Sequence, residues 1–172
     1  MKKALVVGVN YYPNVGNLHG CVNDAYAVSQ VLARHMDGQL NFDVNLVTSV
    51  DAASAINRKQ LKENVISLFA DDSEIALFYF AGHGHVEDAG GYLITSECND
   101  GDDGLPLEEV LNFANESKAK NKILILDSCH SGAAGTPKSL GDKALLSEGM
   151  TILTASSKDQ YAQETNGSGV FT

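Results

Sequence analysis

Five short, dense apolar runs punctuate the chain: Ala4–Val9, Val44–Val47, Ile75–Phe80, Ile123–Leu126 and Thr151–Thr154. A strand with one face in water alternates apolar and polar residues. A continuous run is buried on both faces, as in a parallel sheet covered by helices. The segments between the runs carry helical period. Ala25, Val28 and Leu32 fall at i, i+3, i+7 within Cys21–His35, and Leu61, Val65, Leu68 and Phe69 at i, i+4, i+7, i+8 within Asn57–Ala70; each pattern buries one stripe of a helix. A third helix starts near Pro106, with proline at the first helical position and Glu108 and Glu109 at the positive end of the dipole. Leu107, Val110, Leu111 and Ala114 form its apolar stripe.

The resulting order, β-α-β-α-β-loop-α-β-loop-β, predicts an α/β protein: a three-layer α/β/α sandwich with a mostly parallel central sheet. Right-handed crossovers distribute helices to both faces. Sites in such sheets lie beyond the carboxyl ends of the strands. Two long stretches, Gly82–Gly104 and Ser128–Gly149, read as structureless loops, and loops of that length are uncommon unless they carry function or are disordered. With no repeat and no linker, residues 1–172 are expected to form one domain.

Net charge is −10, and no basic run or stripe is present, which argues against nucleic acid as a partner. The acidic balance is compatible with basic peptides, although it is common among proteins in general. Cys21, Cys98 and Cys129 are odd in number, widely spaced and without a C-x-x-C pair, so neither a disulfide framework nor a zinc site is expected. A cytoplasmic location fits. The first apolar run is too short for a secretory signal, and no run approaches the length of a membrane helix.

The chemistry lies at two strand ends. The third run closes Tyr79-Phe80-Ala81-Gly82-His83-Gly84 and the fourth Asp127-Ser128-Cys129-His130-Ser131-Gly132. Each strand stops and at once presents a reactive side chain. If the strands are neighbours, about 4.8 Å apart, His83 and Cys129 converge over one edge. Together they could perform nucleophilic acyl transfer, the thiolate attacking a carbonyl while imidazole carries the proton. The amides of Gly84 and Cys129 could form an oxyanion hole. Taken singly, a cysteine after a strand is ordinarily a small buried hydrophobe and a loop histidine is ordinarily solvated; the pairing raises them to candidates. His85 and His130 sit close enough to compete for the acid–base role. His19 and His35 read as surface or packing residues.

These two motifs resemble the His and Cys motifs of caspase-fold peptidases, above all metacaspases and their bacterial relatives. The 46 positions from His83 to Cys129 match the roughly 50 expected in caspases. Leu18-His19-Gly20-Cys21-Val22-Asn23-Asp24-Ala25, Tyr92-Leu93-Ile94 with Leu105-Pro106-Leu107, and Ala155-Ser156-Ser157 through to Gly169-Val170-Phe171-Thr172 resemble further metacaspase segments. The resemblance implies a cysteine endopeptidase corresponding to the large-subunit portion, requiring no cofactor for the chemistry. It implies an acidic pocket for Arg or Lys before the cleaved bond, formed by Asp24 and Asp127 with Cys21 on the wall. Ala81 replaces a small polar residue of some members, making the pocket floor less polar.

Many metacaspases need calcium, and Glu97, Asp100, Asp102 and Asp103 supply hard oxygen ligands in the matching region. Lys138 and Lys143 are candidate self-cleavage positions. The chain stops at Thr172, where relatives continue into small-subunit elements. Expected partners are a protein or peptide substrate, a small-subunit segment or a sensor module, with no membrane; in bacterial relatives such domains serve stress or defence responses. Two other readings stay open: a catalytically silent caspase-like domain that binds partners, and a flavodoxin-like or nucleotide-binding domain. The latter lacks its phosphate-binding glycine motif.

Overall fold

The computed structural model describes residues 1–87, 90–100, 103–128 and 148–154, and the backbone alone at 164–165 and 168–169. All five apolar runs are strands of one sheet: β1 (Lys2–Val9), β2 (Asp43–Ser49), β3 (Ile75–Gly82), β7 (Asn121–Ser128) and β8 (Met150–Thr154). Each matches its apolar run or extends it by a few residues. The order across the sheet is β2-β1-β3-β7-β8 and every pairing is parallel. The strands that carry the candidate pair, β3 and β7, are therefore neighbours at the centre.

Side chains alternate across the sheet, and the two faces receive different helices. Ala4, Val6, Leu77, Tyr79 and Ala81 face α1 (Cys21–Ala33), which adds Cys21 and Ala25 to that cluster. Leu5, Val7, Val9, Phe78, Phe80, Leu124 and Leu126 face α2 (Arg58–Phe69) and α3 (Leu107–Glu116). Leu61, Val65, Leu68 and Phe69 of α2 and the stripe Leu107, Val110, Leu111, Ala114 of α3 are all buried, each large side chain stabilising the fold by about 1.5–3 kcal/mol. Helices on both faces of a parallel sheet give the expected three-layer α/β/α sandwich.

Local chemistry fixes the helix starts. Asn57 and Gln60 form a reciprocal capping box on α2, and Glu97 accepts a further hydrogen bond from the Arg58 N–H at 2.8 Å. The start of α1 has Gly20 and no side-chain cap of its own; instead Asn10, beyond the end of β1, accepts from the Val22 N–H at 3.2 Å. Pro106 is the residue flanking α3 rather than its first helical residue, with φ −59° already set for helix entry.

One expectation fails. The stretch Gly82–Gly104 is not structureless: β4 (Gly84–Glu87) and β5 (Gly90–Leu93) lie within it and, with β6 (Leu105–Pro106) just beyond it, form a three-stranded antiparallel sheet in the order β4-β5-β6. Its strands are short and glycine-rich, so they show neither the apolar density nor the β-branched enrichment that marks a strand. Tertiary packing holds them: Tyr92, Leu93, Leu105 and Leu107 join the α2–α3 core. A second short hairpin, β9 (Glu164–Thr165) with β10 (Ser168–Gly169), pairs antiparallel, and β10 lies against α1.

Candidate active site

The carboxyl edge of the sheet is set by register. Gly8 of β1, Ala81 of β3 and Asp127 of β7 form one row, and Gly82 pairs with Ser128 one step further on. The residue after Gly82 is His83 and the residue after Ser128 is Cys129. Cys129 lies outside the described residues, as do His130, Lys138, Lys143 and Asp102.

His83 sits at the break between the two sheets, half buried. Its Nε2 is 2.8 Å from the carbonyl oxygen of Gly16. A carbonyl only accepts, so Nε2 carries the proton and Nδ1 is the nitrogen with a lone pair in the neutral ring. Gly16 reaches this position with φ +104° and open space around its Cα, so backbone conformation rather than crowding calls for glycine there. Tyr12 lies beneath: its ring centroid is 4.6 Å from that of the imidazole, at 59°. Its hydroxyl accepts from the His83 N–H at 3.0 Å and donates to the Ile94 carbonyl at 3.2 Å. The loop carrying Tyr12 and Gly16 is itself pinned, with the Asn17 side chain accepting from Tyr12 N–H at 2.7 Å and Gly16 N–H donating to Tyr12 O at 3.0 Å.

Gly84 opens β4 opposite Leu93. The Ile94 N–H donates to His83 O at 3.0 Å, which makes 83/94 the hydrogen-bonded pair of the antiparallel ladder and 84/93 the non-bonded pair. The Gly84 N–H therefore points away from β5, as an oxyanion donor must.

The proposed pocket residues share one face and one edge. Cys21 and Asp24 stand in the first turn of α1, both buried. That turn rests on Gly8, where a Cβ would come within 2.6 Å of Cys21 O and 2.7 Å of Ala25 Cβ. Ala81 faces α1 and pairs with Asp127, so Asp127 is on the same side. Asp127 is buried, and the Tyr79 hydroxyl is 3.4 Å from its Oδ2. Cys21, Asp24, Ala81 and Asp127 are thus gathered at the carboxyl rim on the α1 side.

The other candidates stand apart. His85 is on β4, cross-strand from Tyr92 with ring centroids 6.4 Å apart, while His19 and His35 are exposed. Cys98 is buried, and burial pushes its thiol pKa up, which suppresses the nucleophilic thiolate. Of the acids suggested for calcium, Glu97 caps α2 as described, and Asp103 Oδ2 accepts from Asn99 N–H at 2.7 Å. Burial opposes the charged form of Asp103, but the Asn99 N–H, the Cys98 thiol and the Asp100 N–H together hold its carboxyl below the usual range. Among the described residues no group of three His, Cys, Asp or Glu side chains is placed to hold a metal ion, and no helix is long and apolar enough to cross a membrane.

Sequence reasoning missed Tyr12 and Gly16, and named Ile94 only within the resembling segment Tyr92-Leu93-Ile94; Gly16, in a loop between strand and helix, is the one detectable signal.

Comparison with known proteins gives a concordant picture. The family described as Caspase domain matches residues 1–172. Metacaspase-1 of Scheffersomyces stipitis is 28% identical over 158 residues, covering 77% of this chain and 36% of the relative. Metacaspase-1 of Schizosaccharomyces pombe is 26% identical over 203 residues, covering 99% of this chain and 46% of the relative. Metacaspase-8 of Arabidopsis thaliana is 28% identical over 142 residues, covering 76% and 37%. The chain spans less than half the length of each of these relatives.

Proposed function

Because the chain belongs to the caspase-domain family of cysteine peptidases, we propose that it is an endopeptidase whose nucleophile is Cys129 and whose acid–base group is His83. The observation that carries this is the register of β3 and β7: Gly82 pairs with Ser128, so the residues immediately before His83 and Cys129 lie side by side. With Nε2 held by Gly16 O, Nδ1 takes the thiol proton. The thiolate then attacks the peptide carbonyl, and the oxyanion draws on the outward N–H of Gly84 and that of Cys129, each such donor being worth about 3–4 kcal/mol. Collapse breaks the C–N bond as the imidazolium gives its proton to the leaving amine. Water, deprotonated by the same imidazole, releases the acid and restores the thiol.

The buried carboxylates Asp24 and Asp127 favour a cationic residue before the cleaved bond. They and the overall charge of −10 support Arg or Lys, and oppose an acidic side chain there. A small-subunit segment and a sensor module are the further partners in this reading, and a bacterial stress or defence role is its biological setting.

A fluorogenic peptide panel tests the proposal. Cleavage after Arg and Lys is expected, with Cys129→Ala and His83→Ala each abolishing it. Asp127→Asn should lower kcat/KM for an Arg peptide about 10- to 100-fold, the equivalent of one charge-assisted hydrogen bond. Cleavage confined to Asp peptides, or activity surviving in Cys129→Ala, would refute the assignment.

A further inference from the structure

In an antiparallel ladder the residues of a hydrogen-bonded pair exchange two bonds, each N–H going to the other's C=O. At the pair His83/Ile94 one of these is present, Ile94 N–H to His83 O at 3.0 Å. The other is interrupted by a side chain from 71 residues upstream. The Tyr12 hydroxyl accepts from the His83 N–H at 3.0 Å and passes the bond on to Ile94 O at 3.2 Å. It stands as a spacer where a direct backbone bond would close. The same tyrosine lays its ring against the imidazole, so it fixes both the backbone and the ring of one residue. Gly82 confirms how tightly the hydroxyl is seated: a Cβ there would come within 2.4 Å of it.

We propose that Tyr12 is the positioning residue of His83, its hydroxyl wedged into the ladder to hold the β4 and β5 sides apart at the one residue that must turn out of the sheet. Without the hydroxyl, the His83 N–H and Ile94 O are left either unpaired in a buried place or free to bond directly. Direct bonding draws His83 toward β5 and away from Gly16 O. The ring then loses the acceptor that fixes its proton on Nε2. Tyr12 touches no substrate atom; it acts through His83.

This inference rests on the acid–base role proposed for His83, and its test separates the two. In the whole chain, Tyr12→Phe retains the ring and removes the wedge. Proton exchange of the His83 amide is expected to change at least 10-fold, faster where the N–H is left open and slower where it closes directly on Ile94 O. Nitrogen chemical shifts of the imidazole should change from a single Nε2-protonated tautomer to a mixture, and kcat should fall about 10-fold with KM within twofold. Val65→Ala, in the core beneath α2, serves as a control lowering stability without moving the tautomer. Unchanged amide exchange and an unchanged tautomer in Tyr12→Phe would overturn the positioning role whether or not the chain cleaves peptides. If Tyr12→Phe shifts the tautomer while the unaltered protein cleaves no peptide, Tyr12 positions His83 and the peptidase assignment alone fails.

Discussion

At the scale of single residues, the rim depends on atoms that are absent. Gly8 lets the first turn of α1 settle directly on β1, and Gly82 leaves the space that the Tyr12 hydroxyl and the Phe80 ring fill. Gly82→Ala should displace Tyr12, cost about 1–3 kcal/mol of stability as overpacking does, and reduce turnover by more than its loss of stability explains. Denaturant unfolding and kcat measured on the same preparation check this. The sequence made His83 and Gly84 visible because they follow a strand end recognisable from the apolar pattern, whereas Asp24 and Asp127 were singled out only through the resemblance to metacaspases. Tyr12 was not visible, since its role depends on a contact with residues 71 and 82 positions away, and no local pattern encodes a partner at that distance.

At the scale of elements, α2 and α3 are joined by a small ionic cluster. Glu109 of α3 lies 3.0 Å from the Arg58 guanidinium and 2.6 Å from the Lys62 ammonium of α2. The Lys62 hydrogen bond leads in holding the Glu109 carboxyl below its ordinary range; burial opposes this, and the charge of Lys62 and the contact with Arg58 add to it. An unfolded chain therefore protonates Glu109 at a higher pH than the folded one does. The cluster's contribution is complete above the ordinary glutamate range and is lost as pH falls through the depressed folded value. Because all three side chains are partly exposed, the effect should be about 1 kcal/mol or less. Glu109→Gln should flatten the acid limb of Tm against pH, and calorimetry across that range measures it. The helices and sheet strands were legible in the sequence because apolar period and density are local properties. The β4-β5-β6 sheet was not, since glycines at 84, 90 and 91 carry no side chain to mark a face.

At the scale of the whole molecule, protection should follow position in the sheet. β1, β3 and β7 are flanked on both sides by strands, and their inward residues are almost completely buried. On β8, Thr151 and Leu153 are exposed. Hydrogen exchange in the native protein is expected to be slowest in β3 and markedly faster in β8; equal rates would contradict the hierarchy. The fold class was legible because alternation of dense runs with helical stripes admits few topologies. The strand order places the two motif-bearing strands side by side, which the linear sequence suggested but could not supply.

The tyrosine bridge has a consequence for the order of events as a newly made polypeptide leaves the ribosome. Residues near the start of synthesis must wait for Ile94, 82 positions later, before the histidine's seat exists. Contacts of such separation are slow to form, since the intervening chain must first be closed into a loop. The bridge that seats His83 therefore closes only after β1 to β5 have all been synthesised.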